Sequence, residues 1–281
     1  MERRAFHAMG TEIELLVDGS DADAALDVAE AEFHRLEQLL SRFLGDSELS
    51  RLNLNGSIDA GPDLLRVVTL ALAARERSAG RFDPTVHDAV VRAGYDRSFE
   101  HVAPDGRNRT EPAPTNGRVI VDGSCIRLCR GVRLDLGGIG KGYAAERAAD
   151  LLAVAGPCLV NAGGDIATRG GAWPVGVETA GDPLTLELSG VGLATSGRDR
   201  RRWRRNGREV HHLIDPATGA SAETDVLRVT VVADDTVDAE VKAKSLFLAG
   251  SRAAVEEADA EGIPTVVVTA DGSTLLAGGL A

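Results

Sequence analysis

Hydrophobic and polar positions alternate along Thr11–Val17, the period-two pattern of a strand with one buried face. Over 21–43 the period lengthens, and Phe33, Leu36, Leu40 and Phe43 fall near one stripe of an amphipathic helix. A second helix is expected after Gly61-Pro62, where proline suits a first turn, and it stops at Gly80. Asp83-Pro84 opens a short helix toward Gly94. Strands are predicted at 118–121, 124–129 and 132–136, a meander running into a glycine turn and an alanine-rich helix. Further strands fall near 158–161, 174–178, 184–188 and 226–233, helices near 237–249 and 251–260, and a last strand at 264–269. Strands and helices mix without strict βαβ alternation, which predicts an α+β fold with mixed, mostly antiparallel sheets and packed helices. Residues 103–117, with Pro104, Pro112, Pro114 and Gly117 among polar residues, read as a loop and a joint between subdomains of one domain spanning 1–281.

Asn206-Gly207 is a strong hairpin signal, calling for a two-residue type I′ turn. Counting outward pairs Arg205 with Arg208, Arg204 with Glu209, Trp203 with Val210 and Arg202 with His211. Alternation then puts Trp203, Val210, His212 and Ile214 on one face and Arg202, Arg204, Glu209 and His211 on the other. His212 is therefore expected inside, and the arginines form a solvated edge that blunts strand pairing.

The richest chemistry lies in Val132-Arg133-Leu134-Asp135-Leu136-Gly137-Gly138-Ile139-Gly140-Lys141-Gly142. A carboxylate, glycines around one lysine and a helix start make a cradle for an anion, because glycine admits a ligand to the backbone and a helix start offers free N–H groups. A nucleotide P-loop would need Ser or Thr after the lysine, and Gly142 stands there. A dinucleotide-binding turn needs G-x-G-x-x-G, and Gly138, Gly140 and Gly142 give G-x-G-x-G. A flexible strand-to-helix turn with a purely architectural role stays open at this point. Asn161-Ala162-Gly163-Gly164-Asp165 and Ala194-Thr195-Ser196-Gly197 are two further small-residue turns, and Glu240 and Lys244 lie four apart on one helix face.

Composition narrows the function. The net charge of −12 argues against general nucleic-acid binding, which needs a basic face. Hydrophobic residues at 43% and charged residues at 26% are ordinary for a soluble globular protein. Cys125 and Cys129 sit too far apart on one strand for a comfortable bridge, so the three cysteines read as packing residues in a reducing compartment. With no apolar leader and no apolar window of membrane-spanning length, the chain is expected to be soluble and cytoplasmic.

Seven segments in order resemble the FAD:protein FMN transferases, the ApbE-type flavin transferases. They are Ala8-Met9-Gly10-Thr11; Ser41-Arg42-Phe43 with Ser47-Glu48-Leu49-Ser50-Arg51-Leu52-Asn53; Gly80-Arg81-Phe82-Asp83-Pro84; the strand–turn–helix around Asp135; Asn161 to Asp165; Ala194 to Gly197; and His212-Leu213-Ile214-Asp215-Pro216-Ala217-Thr218-Gly219. The resemblance implies an enzyme that binds FAD and a divalent metal, usually magnesium, splits the pyrophosphate, and attaches FMN to a Thr or Ser hydroxyl of a target flavoprotein, releasing AMP. Met9, Phe43, Arg81, Phe82, Asp83, Asp135, Lys141 and Ile214 would line the flavin and adenosine pockets. Glu240 and the carbonyl of Gly138 would hold the metal, and His212 would take the hydroxyl proton. Two alternatives share the site: an FAD pyrophosphatase using water, and a non-catalytic FAD-binding module.

One departure stands out. The family usually carries Asp and, four residues on, Thr as metal ligands; here the pair is Glu240 and Lys244. Either Glu240 holds magnesium with Gly138 and water while Lys244 turns aside, or the Lys244 ammonium stands where the metal would be. The second is preferred for Lys244, with metal dependence left to a chelator experiment.

Overall fold

The computed structural model describes residues 1–102, 105–106 and 112–280. Of the loop expected at 103–117, residues 103–104 and 107–111 lie outside the described residues; 112–118 carries no helix or ladder. Seven α-helices occur among the described residues: α1 (Ala22–Leu40), α2 (Glu48–Asn55), α3 (Pro62–Arg77), α4 (His87–Arg92), α5 (Gly140–Leu152), α6 (Thr236–Ala249) and α7 (Ser251–Glu261). Most strand ladders are antiparallel, and a short parallel one joins Arg204 and Arg205 to Asp105 and Gly106. The fold is α+β.

The chain divides into two compact units, Met1–Glu37 with Ile139–Ser196 and Thr224–Ala281, and Gln38–Gly138 with Gly197–Glu223. The first unit carries an eight-stranded sheet in the order Glu2–Ala8, Thr11–Val17, Cys158–Ala162, Asp165–Arg169, Gly192–Gly197, Val226–Ala233, Thr265–Thr269, Thr274–Ala277. Cys158 turns toward α5, where its Sγ meets the Ala149 carbonyl at 3.4 Å. By the pleat, Leu159 points the opposite way. There it joins Ile166, Leu193 and Val266 in a core shared with Trp173, Val175, Val177 and Leu188 of the hairpin Trp173–Val177/Leu184–Leu188. With both faces covered, a strand such as Thr265–Thr269 is buried at every position and reads as an unbroken β-branched run.

The second unit holds α2, α3 and α4, a sheet in the order Ser57–Asp59, Cys125–Leu128, Val119–Asp122, and the hairpin Arg202–Arg205/Arg208–His211. The hairpin register is the expected one, Arg205 with Arg208 through Arg202 with His211, and both turn residues take positive φ (Asn206 50°, Gly207 75°). Ala89, Val90, Ala93, Tyr95, Trp203 and Ile214 pack a second core beneath it.

The structure departs from the sequence expectations in several places. Segment 132–136 is extended and buried at Leu134 and Leu136 but joins no ladder. Side chains and turns satisfy its backbone instead: Leu134 exchanges both bonds with the Asn53 amide (2.7 and 2.8 Å), and Asp135 N donates to the Pro84 carbonyl (2.8 Å). Residues 194–197, expected as a turn, belong to the strand Gly192–Gly197; their small side chains hide the alternation, and Thr195 Oγ1 bonds Thr230 Oγ1 on the neighbouring strand at 2.8 Å. The helix predicted over 21–43 ends at Leu40, which frees Arg42 and Phe43 from helical packing. Strands Glu2–Ala8, Ser57–Asp59, Asp165–Arg169 and Thr274–Ala277 are additional. Cys125, Cys129 and Cys158 are free thiols. Among the described residues no helix is long and apolar enough to cross a membrane.

Candidate active site

In the first unit the chemistry gathers where α5 meets α6. Asp235 caps α6 by accepting from Asp238 N at 2.7 Å, and Thr236 N and Oγ1 both donate to Glu146 Oε1 of α5 (2.7 and 2.6 Å). Glu146 Oε2 pairs in turn with Arg169. One turn along α6, Glu240 Oε2 accepts from Gly142 N near the start of α5 at 2.9 Å. Each helix thus supplies a carboxylate to an orphan N–H near the other's amino end, a pairing that requires the two helices to run antiparallel. Gly142 permits the approach: a Cβ there would lie 2.8 Å from the Thr236 carbonyl oxygen and 3.0 Å from Glu240 Oε2.

Lys141 closes the constellation. Its Nζ forms ion pairs with Asp165 Oδ2 and, at 3.2 Å, with Glu240 Oε1. Both carboxylates are deeply buried, Asp165 at 2% and Glu240 at 3% exposure, so the ammonium is the counter-ion that makes their burial tolerable. Asp165 reaches it from a turn fixed by Asn161, whose Oδ1 accepts from Gly164 N at 2.8 Å. In that turn Gly163 adopts φ +67°, and any Cβ would collide with Thr11 Oγ1 at 2.1 Å. Lys244 follows Glu240 by one turn and is half-buried. Met9 stands apart in the chain, at positive φ (53°) in the two-residue turn between Ala8 and Thr11, with its N–H donating to Glu37 Oε1 at 2.8 Å.

The second unit brings together Asp135, Phe43 and Ile214. Arg42 Nε pairs with Asp135 Oδ2 at 2.8 Å, both side chains being about nine-tenths buried (7% and 10% exposed). Arg42 Nη2 donates to the Tyr95 carbonyl at 2.7 Å, and the guanidinium lies 4.1 Å from the Phe43 ring centroid and 4.8 Å from that of Tyr95. Tyr95 touches Trp203, and Ile214 packs in the same cluster. Phe43 keeps 38% of its surface exposed. Asp135 Oδ1 also accepts from Gly137 N at 2.8 Å, which shapes the turn leading to Gly138.

Phe82 and Asp83 play an inward part. Phe82 is 3% exposed, and the Asp83 carboxylate, with no exposed surface, accepts from Thr85 N and Oγ1 (2.9 Å) and from Asn116 N (2.6 Å). Arg81, next in line, is half-buried, as is Gly138.

The histidines are reversed from the alternation argument. His211 is buried at 4% exposure, whereas His212 is half-buried. His211 ends its strand, and residues 220–222 fold over it: His211 N donates to Ser221 Oγ (3.2 Å), Ser221 Oγ donates to His211 O (2.7 Å), and Nε2 lies 3.0 Å from the Ala222 carbonyl. His212 falls in a bend, where two-residue alternation stops. Burial lowers the His211 pKa below the ordinary imidazole value. Arg205, expected in the solvated arginine edge, lies on Trp203's buried side of the strand instead, at 7% exposure, and donates to the carbonyls of Ala93 and Gly94. Arg42 and Asp165 were absent from the expected site list; the signal was a buried-looking carboxylate, Asp135, and a lysine, Lys141, each without a named counter-charge.

The sequence model of the ApbE family matches residues 9–267. The chain belongs to the ApbE family. Among relatives, the FAD:protein FMN transferase of Salmonella typhimurium is 28% identical over 290 residues, covering 94% of this chain and 83% of that protein. The one from Treponema pallidum is 30% identical over 263 residues, covering 82% and 73%. The ApbE protein of Thermotoga maritima shares the fold at a TM-score of 0.85 and 24% identity, covering 98% of this chain and 96% of that one. Membership in the ApbE family accounts for the order of the seven segments along the chain.

Proposed function

We propose that the chain moves FMN from FAD, through its phosphate, to a threonine or serine hydroxyl of a target flavoprotein, releasing AMP. The observation that carries this reading is the cation at the amino end of α5, a place that already favours anions, in a chain aligned over 94% of its length with a protein named FAD:protein FMN transferase. The acceptor oxygen attacks the phosphorus of the FMN half and the bond to the AMP phosphate breaks. AMP leaves with that electron pair, and the hydroxyl proton passes to a base. His212 is proposed as the base, since neutral imidazole accepts protons near pH 7. Such a displacement asks the protein for alignment and for charge neutralisation, and Lys141 is proposed to supply charge. Met9, Phe43, Arg81, Asp135 and Ile214 are proposed to hold the flavin and adenosine parts. Phe82 and Asp83, both buried, would act through the shape of their loop.

Magnesium, which the resemblance implies, would rest on Glu240 and the Gly138 carbonyl. A hard divalent ion needs a shell of oxygens. Glu240 Oε2 is committed to Gly142 N–H, Oε1 faces Lys141, and an ammonium replaces a hydroxyl four residues on. That donor set does not fit the ion. Three free thiols favour a reducing compartment, and a cytoplasmic site of action is part of the same proposal.

Mass spectrometry after incubation with FAD and a candidate flavoprotein tests the reading. Transfer adds an FMN mass to a Thr or Ser of the target; free FMN and AMP alone would mean hydrolysis, and intact FAD would mean a binding module. Transfer left unchanged by His212→Ala would remove His212 from the role of base.

A further inference from the structure

We propose that this chain meets the FAD pyrophosphate with ammonium groups in place of a divalent ion: Lys141, held by Asp165 and Glu240, together with Lys244 one turn beyond Glu240. The inference deepens the FMN-transfer reading and rests on it. Two carboxylates buried to 2% and 3% exposure would be the natural anchor for a dication, yet their shared counter-charge is already the Lys141 ammonium. Counting Lys244 on the same face of α6, two carboxylates and two ammoniums give a formally neutral group. Such a group carries no formal net charge to recruit a dication, and because its carboxylates are nearly fully buried while its lysines are less so, an incoming dication would meet the ammoniums first. Releasing Glu240 to a metal would also strip Gly142 N–H, near the buried start of α5, of its 2.9 Å acceptor. A pyrophosphate meets the opposite situation: ammoniums bind phosphate as point charges, and the helix amino end adds partial positive charge. Relative to a neutral oxygen ligand, lysine at position 244 adds one positive charge where the anion needs it.

Replacing Lys141 would leave Asp165 and Glu240 buried without a cation and threaten folding, so half-buried Lys244 is the site to vary. FAD binding to the full chain is titrated by flavin fluorescence, in chelator and in millimolar magnesium, with thermal melts confirming that each variant is folded. The wild type is expected to bind FAD equally, within about twofold, in both buffers. Lys244→Met should weaken binding roughly tenfold or more in both buffers, the size of a lost charge-assisted contact. Lys244→Thr should weaken it similarly in chelator but recover in magnesium, because a hydroxyl now stands beside Glu240. Wild-type binding that needs magnesium, or Lys244→Met binding like wild type, would overturn this inference and leave the FMN-transfer reading intact. Absence of FAD binding in either buffer would overturn both.

Discussion

Arg42→Met is the most direct test of how the second unit is held together at Asp135. The wild-type guanidinium makes a 2.8 Å bond to Asp135 and a 2.7 Å bond to the Tyr95 carbonyl, over two aromatic rings, with both charged side chains nine-tenths buried. Methionine keeps much of the stem packing but strands the carboxylate. Removing one partner of a buried pair costs about 3–5 kcal/mol, and lost stacking on Phe43 and Tyr95 adds about 0.5–2 kcal/mol. Taking about 3 kcal/mol as the floor, a loss of roughly 2–4 °C per kcal/mol places the fall in Tm at about 6–12 °C. Asp135→Asn, which keeps shape and an acceptor, should lose less, about 1–2 kcal/mol. The double variant Arg42→Met/Asp135→Asn should recover part of the loss, because the stranded charge is gone. Calorimetry on the four proteins closes the cycle. A Tm for Arg42→Met within about 2 °C of wild type, a change of less than 1 kcal/mol, would refute the claim that this pair is desolvated and supports the turn.

Gly142→Ala should lower Tm: alanine gains about 1 kcal/mol of helix propensity, but its Cβ meets the Thr236 carbonyl at 2.8 Å and Glu240 at 3.0 Å, an overpacking cost of about 1–3 kcal/mol; a melt at or above wild type would contradict it. Because burial depresses the His211 pKa, the unfolded chain binds the proton more readily, so stability is full above the unfolded value, about 6.5, and falls as pH drops toward the folded pKa. His211→Gln should flatten this slope in melts between about pH 5 and 8, and an unchanged slope would assign it elsewhere. Burial pushes the Cys158 thiol up to about 11, so alkylation of native protein near pH 8 should label Cys125 and Cys129 and spare Cys158; equal labelling by peptide mapping would count against the packing described.

Much of the fold was legible because periodicity and punctuation agreed. Gly61-Pro62 marked the start of α3, Asn206-Gly207 set the hairpin register, and Val226–Ala233 read directly as a strand. Failures came where tertiary partners overrode local pattern. The extended run 132–136 looks like a strand, but its hydrogen bonds go to Asn53 and Pro84, far away in sequence. Residues 194–197 lack an apolar rhythm because their side chains are all small: Ala194 and Ser196 are buried, while the exposed Thr195 bonds Thr230 on the neighbouring strand. At the site, Lys141, Asp135 and Glu240 were visible as chemistry-bearing residues. Asp165 and Arg42 stood in segments already singled out, but their pairing with Lys141 and Asp135 was not visible, since ion pairing across 24 or 93 residues leaves no trace in spacing. His211, still in the ladder opposite Arg202, is buried because residues 220–222 fold over it, and His212 lies past the ladder's end in a bend, where alternation no longer applies.

The chain passes between its two units four times, at 37/38, 138/139, 196/197 and 223/224. During synthesis this imposes an order of events. The hairpin formed by Glu2–Ala8 and Thr11–Val17 emerges first, yet its neighbour in the sheet, Cys158–Ala162, is the partner of Ile13 to Val17. At about 5–20 residues per second, that partner leaves the ribosome roughly 7–30 s later. Throughout the interval Thr11–Val17 offers an open edge, and the charges of Glu12 and Glu14 along it discourage pairing with a stranger. The first segment of the second unit, residues 38–138, is complete within that wait. The sheet of the first unit is therefore completed only after residues 38–138 have been made, and a nascent chain stalled before residue 158 would carry that hairpin as its exposed liability.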